Sequence, residues 1–200
     1  MEHRRRVVEV GMVASKKHGQ ESASFGQWLS DRLRENPRYR HYAVYYDHGD
    51  KTIHPNVAAI KGIYGDKVTS SSQLTQVDVM VAKPSGEIIA LVEIEERPSS
   101  PKKLIGDVFT NLMCSRYAVR VNGEQRYFNI TPETILILAG IMNPKGNKFK
   151  KLERVIKPRI SDFSSPKDAV GLDQVRFLFR DTIEEVIDEL KVYFGRLIND

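Results

Sequence analysis

Two β-prone runs, Val77 to Lys83 and Glu87 to Glu95, flank the turn-forming triplet Pro84-Ser85-Gly86. That pattern predicts a hairpin. Val77, Val79 and Val81 alternate with Asp78, Met80 and Ala82, while Ile89 and Leu91 share the expected face of Glu93. Both faces are therefore apolar, which places the strands inside a sheet covered on both sides. With Ser85-Gly86 as a two-residue turn, Val81 lies opposite Ala90 and Asp78 opposite Glu93. A four-residue loop from Pro84 to Glu87 keeps this register, and an odd loop length shifts it. Opposed residues bring their Cβ atoms to roughly 4.5–5.5 Å on one face. Glu95, two residues beyond Glu93, shares that face. Three carboxylates are expected to converge.

The flanking sequence supplies the cover. Phe25, Trp28, Leu29 and Leu33 form one helical stripe ended by Asn36-Pro37. Tyr39 to Tyr46 is β-prone, and Pro55 to Tyr64 reads as a short helix. Ser100-Pro101 predicts a helix start, with Leu104, Val108 and Leu112 as its apolar stripe. Thr134 to Ile141 suits a strand buried on both faces, and Val175 to Phe179 a short strand. Ile183, Val186, Ile187, Leu190, Phe194 and Leu197 mark a final amphipathic helix. Residues 4–17 fit either period. The expected fold is α/β: a single mixed sheet flanked by helices, one domain over 1–200 with its core at about 20–141 and a C-terminal strand and helix over 172–198.

Opposed like charges on a covered sheet are unfavourable, and desolvating each anion adds several kcal/mol. A divalent cation relieves both problems. Two carboxylates, waters and substrate phosphate oxygens suit Mg²⁺ (or Mn²⁺). The competing reading puts Asp78 and Glu93 at fraying strand ends, solvated or paired with Arg97, Lys102 or Lys103.

Val77-Asp78-Val79, the hairpin, Leu91-Val92-Glu93-Ile94-Glu95 and the following helix resemble the PD-(D/E)XK nuclease superfamily. The likeness is clear over residues 75–118, and the element order extends it to about 20–141. It implies a restriction-endonuclease-like core and metal-dependent hydrolysis of phosphodiester bonds in DNA, or RNA. Asp78 then matches the metal-binding Asp and Glu93 the second acid, with the carbonyl of Ile94 as a further ligand. Glu95 stands where the family usually has Lys, and Val77 where it usually has Pro. Some restriction enzymes of the superfamily also carry Glu at that place, and other members move the Lys to the next helix, where Lys102 and Lys103 are candidates. Members often add an acid from the first helix; Glu21 is the candidate here, with Asp31 and Glu35 as competitors. The resemblance also admits a catalytically inactive module that binds nucleic acid or a protein partner.

Lys+Arg outnumber Asp+Glu by 31 to 26, a net charge of +5 that permits a nucleic-acid partner without requiring one. The basic run Lys145, Lys148, Lys150, Lys151, Arg154, Lys157 and Arg159 surrounds one acid, Glu153. It reads as a phosphate-backbone contact through Lys148, Lys150 and Lys151, or as ordinary solvated surface, and Lys102 and Lys103 are expected to bind nucleic acid as well. Nucleic acid, DNA ahead of RNA, is the expected partner; a homodimer is left open. The single cysteine, Cys114, excludes an intrachain disulfide framework and reads as a small packed residue. The histidines lack paired ligand spacing, and His48 and His54 read as loop residues. The apolar run from Ile135 to Met142 is too short to cross a bilayer, and Glu9 interrupts the apolar stretch that a signal peptide would need. A soluble cytoplasmic protein with no membrane contact is expected.

Overall fold

The computed structural model describes residues 19–52, 54–98, 100–143, 145–152, 154 and 174–199. The ambiguous stretch 4–17 and the Lys157 and Arg159 end of the basic run lie outside them. The fold is α/β, as expected. The sheet is not alone, however: a mixed five-stranded sheet is joined by a second, antiparallel sheet of four strands.

Helix α1 (Gln20–Glu35) buries Phe25, Leu29 and Leu33 on one face. Strand β1 (Ala43–Tyr46) follows, then β2 (Ile60–Ile63), which replaces the short helix expected there. The isolated segment is only four residues long and contains Gly62, yet it pairs with strands on both sides. The run expected as one strand from Val77 is split between β3 (Gln73–Val77) and β4 (Val79–Ala82). β3 pairs in the small sheet and β4 in the large one, so the chain changes sheets at Asp78.

β5 (Ile88–Glu95) leads to α2 (Pro101–Leu112), whose start is as expected: Ser100 Oγ accepts the amide of Lys103 at 3.3 Å, with Pro101 in the first turn. A hairpin of β6 (Arg116–Val121) and β7 (Glu124–Asn129) completes the small sheet. β8 (Ile135–Ile141) returns parallel to β5, α3 (Asn147–Lys151) follows, and β9 (Val175–Arg180) pairs parallel to β8. Helix α4 (Ile183–Asn199) ends the chain. The large sheet runs β1-β4-β5-β8-β9, the small one β3-β2-β6-β7.

The large sheet separates two cores. Ile137 and Ala139 face Phe25, Leu29, Val186, Leu190 and Phe194 of α1 and α4. Leu136 and Leu138 face Leu104 and Val108 of α2 and Tyr117 and Val119 of the small sheet. Strand β8 is thus buried on both faces, which accounts for its unbroken apolar run. Among the described residues no helix is long and apolar enough to cross a membrane.

Candidate active site

The hairpin keeps the expected pairing by an unexpected route. Gly86 N donates to Lys83 O at 3.0 Å and Lys83 N to Glu87 O at 2.8 Å, closing a three-residue loop with Gly86 at φ 89. An odd loop shifts the register by one, and Ala82 indeed pairs with Ile88. A bulge on the next step restores it: Val81 pairs with Ala90, Met80 with Leu91 and Val79 with Val92. The two-residue turn is therefore corrected, while the pairing it implied from Val81 onward stands. The bulge also turns Ile89 to the α1/α4 side, so Ile88, not Ile89, joins Leu91 in the core against α2.

Asp78 sits where this ladder ends. Its amide donates to Val92 O at 3.1 Å, and its Oδ2 accepts the amide of Ile94 at 2.7 Å. On its other side, Asp47 N donates to the carbonyl of Asp78 at 2.8 Å. Burial pushes the Asp78 carboxyl up to about 6; the Ile94 amide and His48 pull it down, and the charges of Asp47 and Glu96 push it further up. Glu93 is raised well above the usual carboxylate range by burial, then by the charges of Asp78 and Asp107, with Lys103 opposing. Its Oε2 is shut off from solvent and has no hydrogen-bond partner among the described residues. A buried acceptor in that condition costs about 1–3 kcal/mol, more if charged.

Glu95 forms an ion pair with Lys103, delivered from the first turn of α2. The site thus receives an ammonium from the helix after the hairpin, from one of the two candidate lysines. Lys102, the other, is exposed on α2. Behind Glu95, β8 comes close at Gly140, where an added Cβ would meet Glu95 Cβ at 2.9 Å and Glu95 O at 3.1 Å. Glycine is what allows the strand to pass there.

Three acids at the site escaped the sequence reading: Asp107, Asp47 and Glu96. Asp107 lies four residues after Lys103, on the same helical face. Burial raises its carboxyl, Lys103 opposes this, and its charge reaches Glu93. The signal was available in the i, i+4 spacing. Asp47 adjoins Asp78 because Tyr46 pairs with Val79, and only the strand order reveals that.

The first turn of α1 is held at this same end of the sheet. Glu96 accepts the amides of Gly19 (2.9 Å), Glu21 (3.1 Å) and Ser22 (3.1 Å), and the Ser22 hydroxyl at 3.1 Å. Glu21 is brought near by its backbone. Its competitors Asp31 and Glu35 form exposed ion pairs with Arg34 and Arg32. Lys148, Lys150 and Lys151 are all exposed on α3, while Phe149 packs edge-on against Phe179. Cys114 is buried and donates to Thr110 O at 3.2 Å, as a packed residue should.

The donor set fits a hard cation in one respect, the partnerless buried Glu93 oxygen beside Asp78. It is a two-carboxylate set: among the described residues no three His, Cys, Asp or Glu side chains form a metal cage. Mg²⁺ does not need one, since it keeps several waters and takes substrate oxygens. No protein-family model matches the chain, nor does any curated protein or solved structure. The functional reading rests on the geometry.

Proposed function

We propose that the protein is a divalent-cation-dependent nuclease hydrolysing phosphodiester bonds in DNA, or RNA. The observation that carries this is Glu93 Oε2, a buried acceptor without a partner next to a second buried carboxylate. Asp78 and Glu93 would hold Mg²⁺ or Mn²⁺, with the carbonyl of Ile94 as a further oxygen. Such an ion polarises the phosphate and lowers the pKa of a bound water. The chain's own residues do the rest. The Ile94 amide fixes the Asp78 carboxylate, leaving its second oxygen for the ion. Lys103 offers positive charge to the phosphate, and Glu95 holds that ammonium at the site. Glu95 also accepts the proton of the attacking water when Lys103 turns to the phosphate. Asp107 adds a further carboxylate on α2 whose charge reaches Glu93.

The test is cleavage of plasmid and branched DNA with Mg²⁺ or Mn²⁺. Wild-type protein should cut and Asp78→Asn should not, while both fold. One observation favours an alternative, a catalytically inactive module binding nucleic acid or a protein partner: Glu95 ties up Lys103 in an ion pair. Nucleic-acid binding without metal-dependent cleavage across a broad substrate panel would decide for it.

A further inference from the structure

Beyond the carboxylates, a groove of about 410 Å³ opens at the carboxyl ends of β8 and β9, lined by Pro98, Met142, Asn143, Asn147, Lys148 and Asp181 among others. Ligands of α/β sheets favour that end of the strands, and the volume lies within the usual range for a small-molecule-sized segment. The groove opens at the same end of the large sheet as the candidate site. Glu95 pairs with Gly140, and Ile141, the next residue, lines the groove. Pro98, three residues past Glu95, forms part of the same wall.

The two walls differ in charge. Lys148 is the one lysine of α3 that lines the groove; Lys150 and Lys151, equally exposed, do not. Asp181, just after β9, also lines it, from a different element. A phosphate in this space is attracted to the α3 wall and repelled from the β9 wall. Asn143 and Asn147 supply neutral amides, suited to sugar or base edges.

We propose that this groove is the track for the strand flanking the scissile bond, with Lys148 binding its phosphate and Asp181 keeping phosphate off the β9 wall. The inference rests on the nuclease reading above and adds the path of the strand and the wall that takes its phosphate. It also divides the basic run: Lys148 makes a contact, and Lys150 and Lys151 contribute only a general field.

Full-length Asp78→Asn protein, which should bind without cutting, is titrated with a short fluorescent single-stranded DNA across a salt series. Adding Lys148→Ala should reduce the slope of log affinity against log salt by about 0.7, the value for one lost phosphate contact on a single strand. Adding Lys150→Ala or Lys151→Ala should change it by much less. Adding Asp181→Asn should tighten binding severalfold. Equal slope losses at all three lysines, or an unchanged affinity in the Asp181→Asn variant, would overturn the track while leaving the nuclease reading intact. No binding of the single strand would likewise overturn the track, while cleavage of plasmid or branched DNA by the wild type decides the nuclease reading separately.

Discussion

Asp78 is bonded to the residues on either side of Glu93: its amide donates to Val92 O at 3.1 Å and its Oδ2 accepts Ile94 N–H at 2.7 Å. The backbone of Asp78 and its carboxylate are thereby held against the strand that carries Glu93. The metal-free protein must then lose stability as pH rises. Both carboxyls have folded values above their unfolded ones, Asp78 at about 6. The folded state binds more protons than the unfolded state between these values, so the favourable contribution is present below about pH 4 and lost through pH 6 and above. For Asp78 alone the loss approaches about 3 kcal/mol, at 1.36 kcal/mol per unit. Urea unfolding with a chelator should give a lower midpoint at pH 8 than at pH 5.5. Asp78→Asn should narrow that difference without abolishing it, because burial still raises Glu93, and Mn²⁺ should raise the wild-type midpoint at pH 8. A wild type indifferent to both pH and Mn²⁺ would remove the case for a cation.

The Glu95–Lys103 pair predicts a separation of activity from stability. Lys103 is 55% exposed, so losing the pair should barely move the unfolding midpoint. Cleavage by Lys103→Ala should fall about 10²–10³-fold, the usual loss when one electrostatic stabiliser of the transition state is removed. Lys103→Arg should recover part of it, and Lys102→Ala should cut normally. Matching losses in the Lys102 and Lys103 variants would reduce both to general surface charge.

How much of this was legible depends on where the information sits. The pairing from Val81 toward Asp78 and Glu93 could be read because apolar residues and turn formers are local signals. The loop length could not, since Pro84-Ser85-Gly86 accommodates either two or three residues in the turn. The pairing nonetheless held, because a bulge offset the odd loop. The small sheet went unread although its hairpin carries an Asn122-Gly123 turn, with both residues at positive φ (52° and 82°). Five of the six β7 residues, all but Phe128, are exposed, so no apolar alternation announces that strand. Asp47 joins the acids only through the β1–β4 pairing, which no local pattern encodes.

Gly140→Ala tests the close approach of β8 to the site. The new methyl carbon would lie 2.9 Å from Glu95 Cβ and 3.1 Å from its carbonyl oxygen, so the backbone must shift as well as the side chain. Overpacking of this kind costs about 1–3 kcal/mol. Glu95 and Lys103 should lose their alignment, and cleavage should drop further than stability does. A variant with full activity and an unchanged unfolding midpoint would show that the strands have slack there.

The last prediction concerns the acid that builds the site without entering it. Helix α1 has no side-chain cap of its own: Gly19 is its N-cap residue, at φ 82. The missing acceptor comes from Glu96, across 74–77 residues of chain, through three amides and a hydroxyl. A carboxylate at a helix N-terminus also complements the helix dipole. Glu96→Gln keeps one acceptor oxygen but loses the charge, and Glu96→Ala loses both. Capping losses run at about 0.5–2 kcal/mol, so Glu96→Ala should fall near the upper end and Glu96→Gln between it and wild type. Hydrogen exchange should localise the change to the first turn of α1. Glu96 also raises the Asp78 carboxyl by its charge, so Glu96→Gln should move Asp78's titration to lower pH. An NMR titration of metal-free protein reads this directly. A shift of the Asp78 midpoint to higher pH, or no exchange change in α1, would separate the cap from the site.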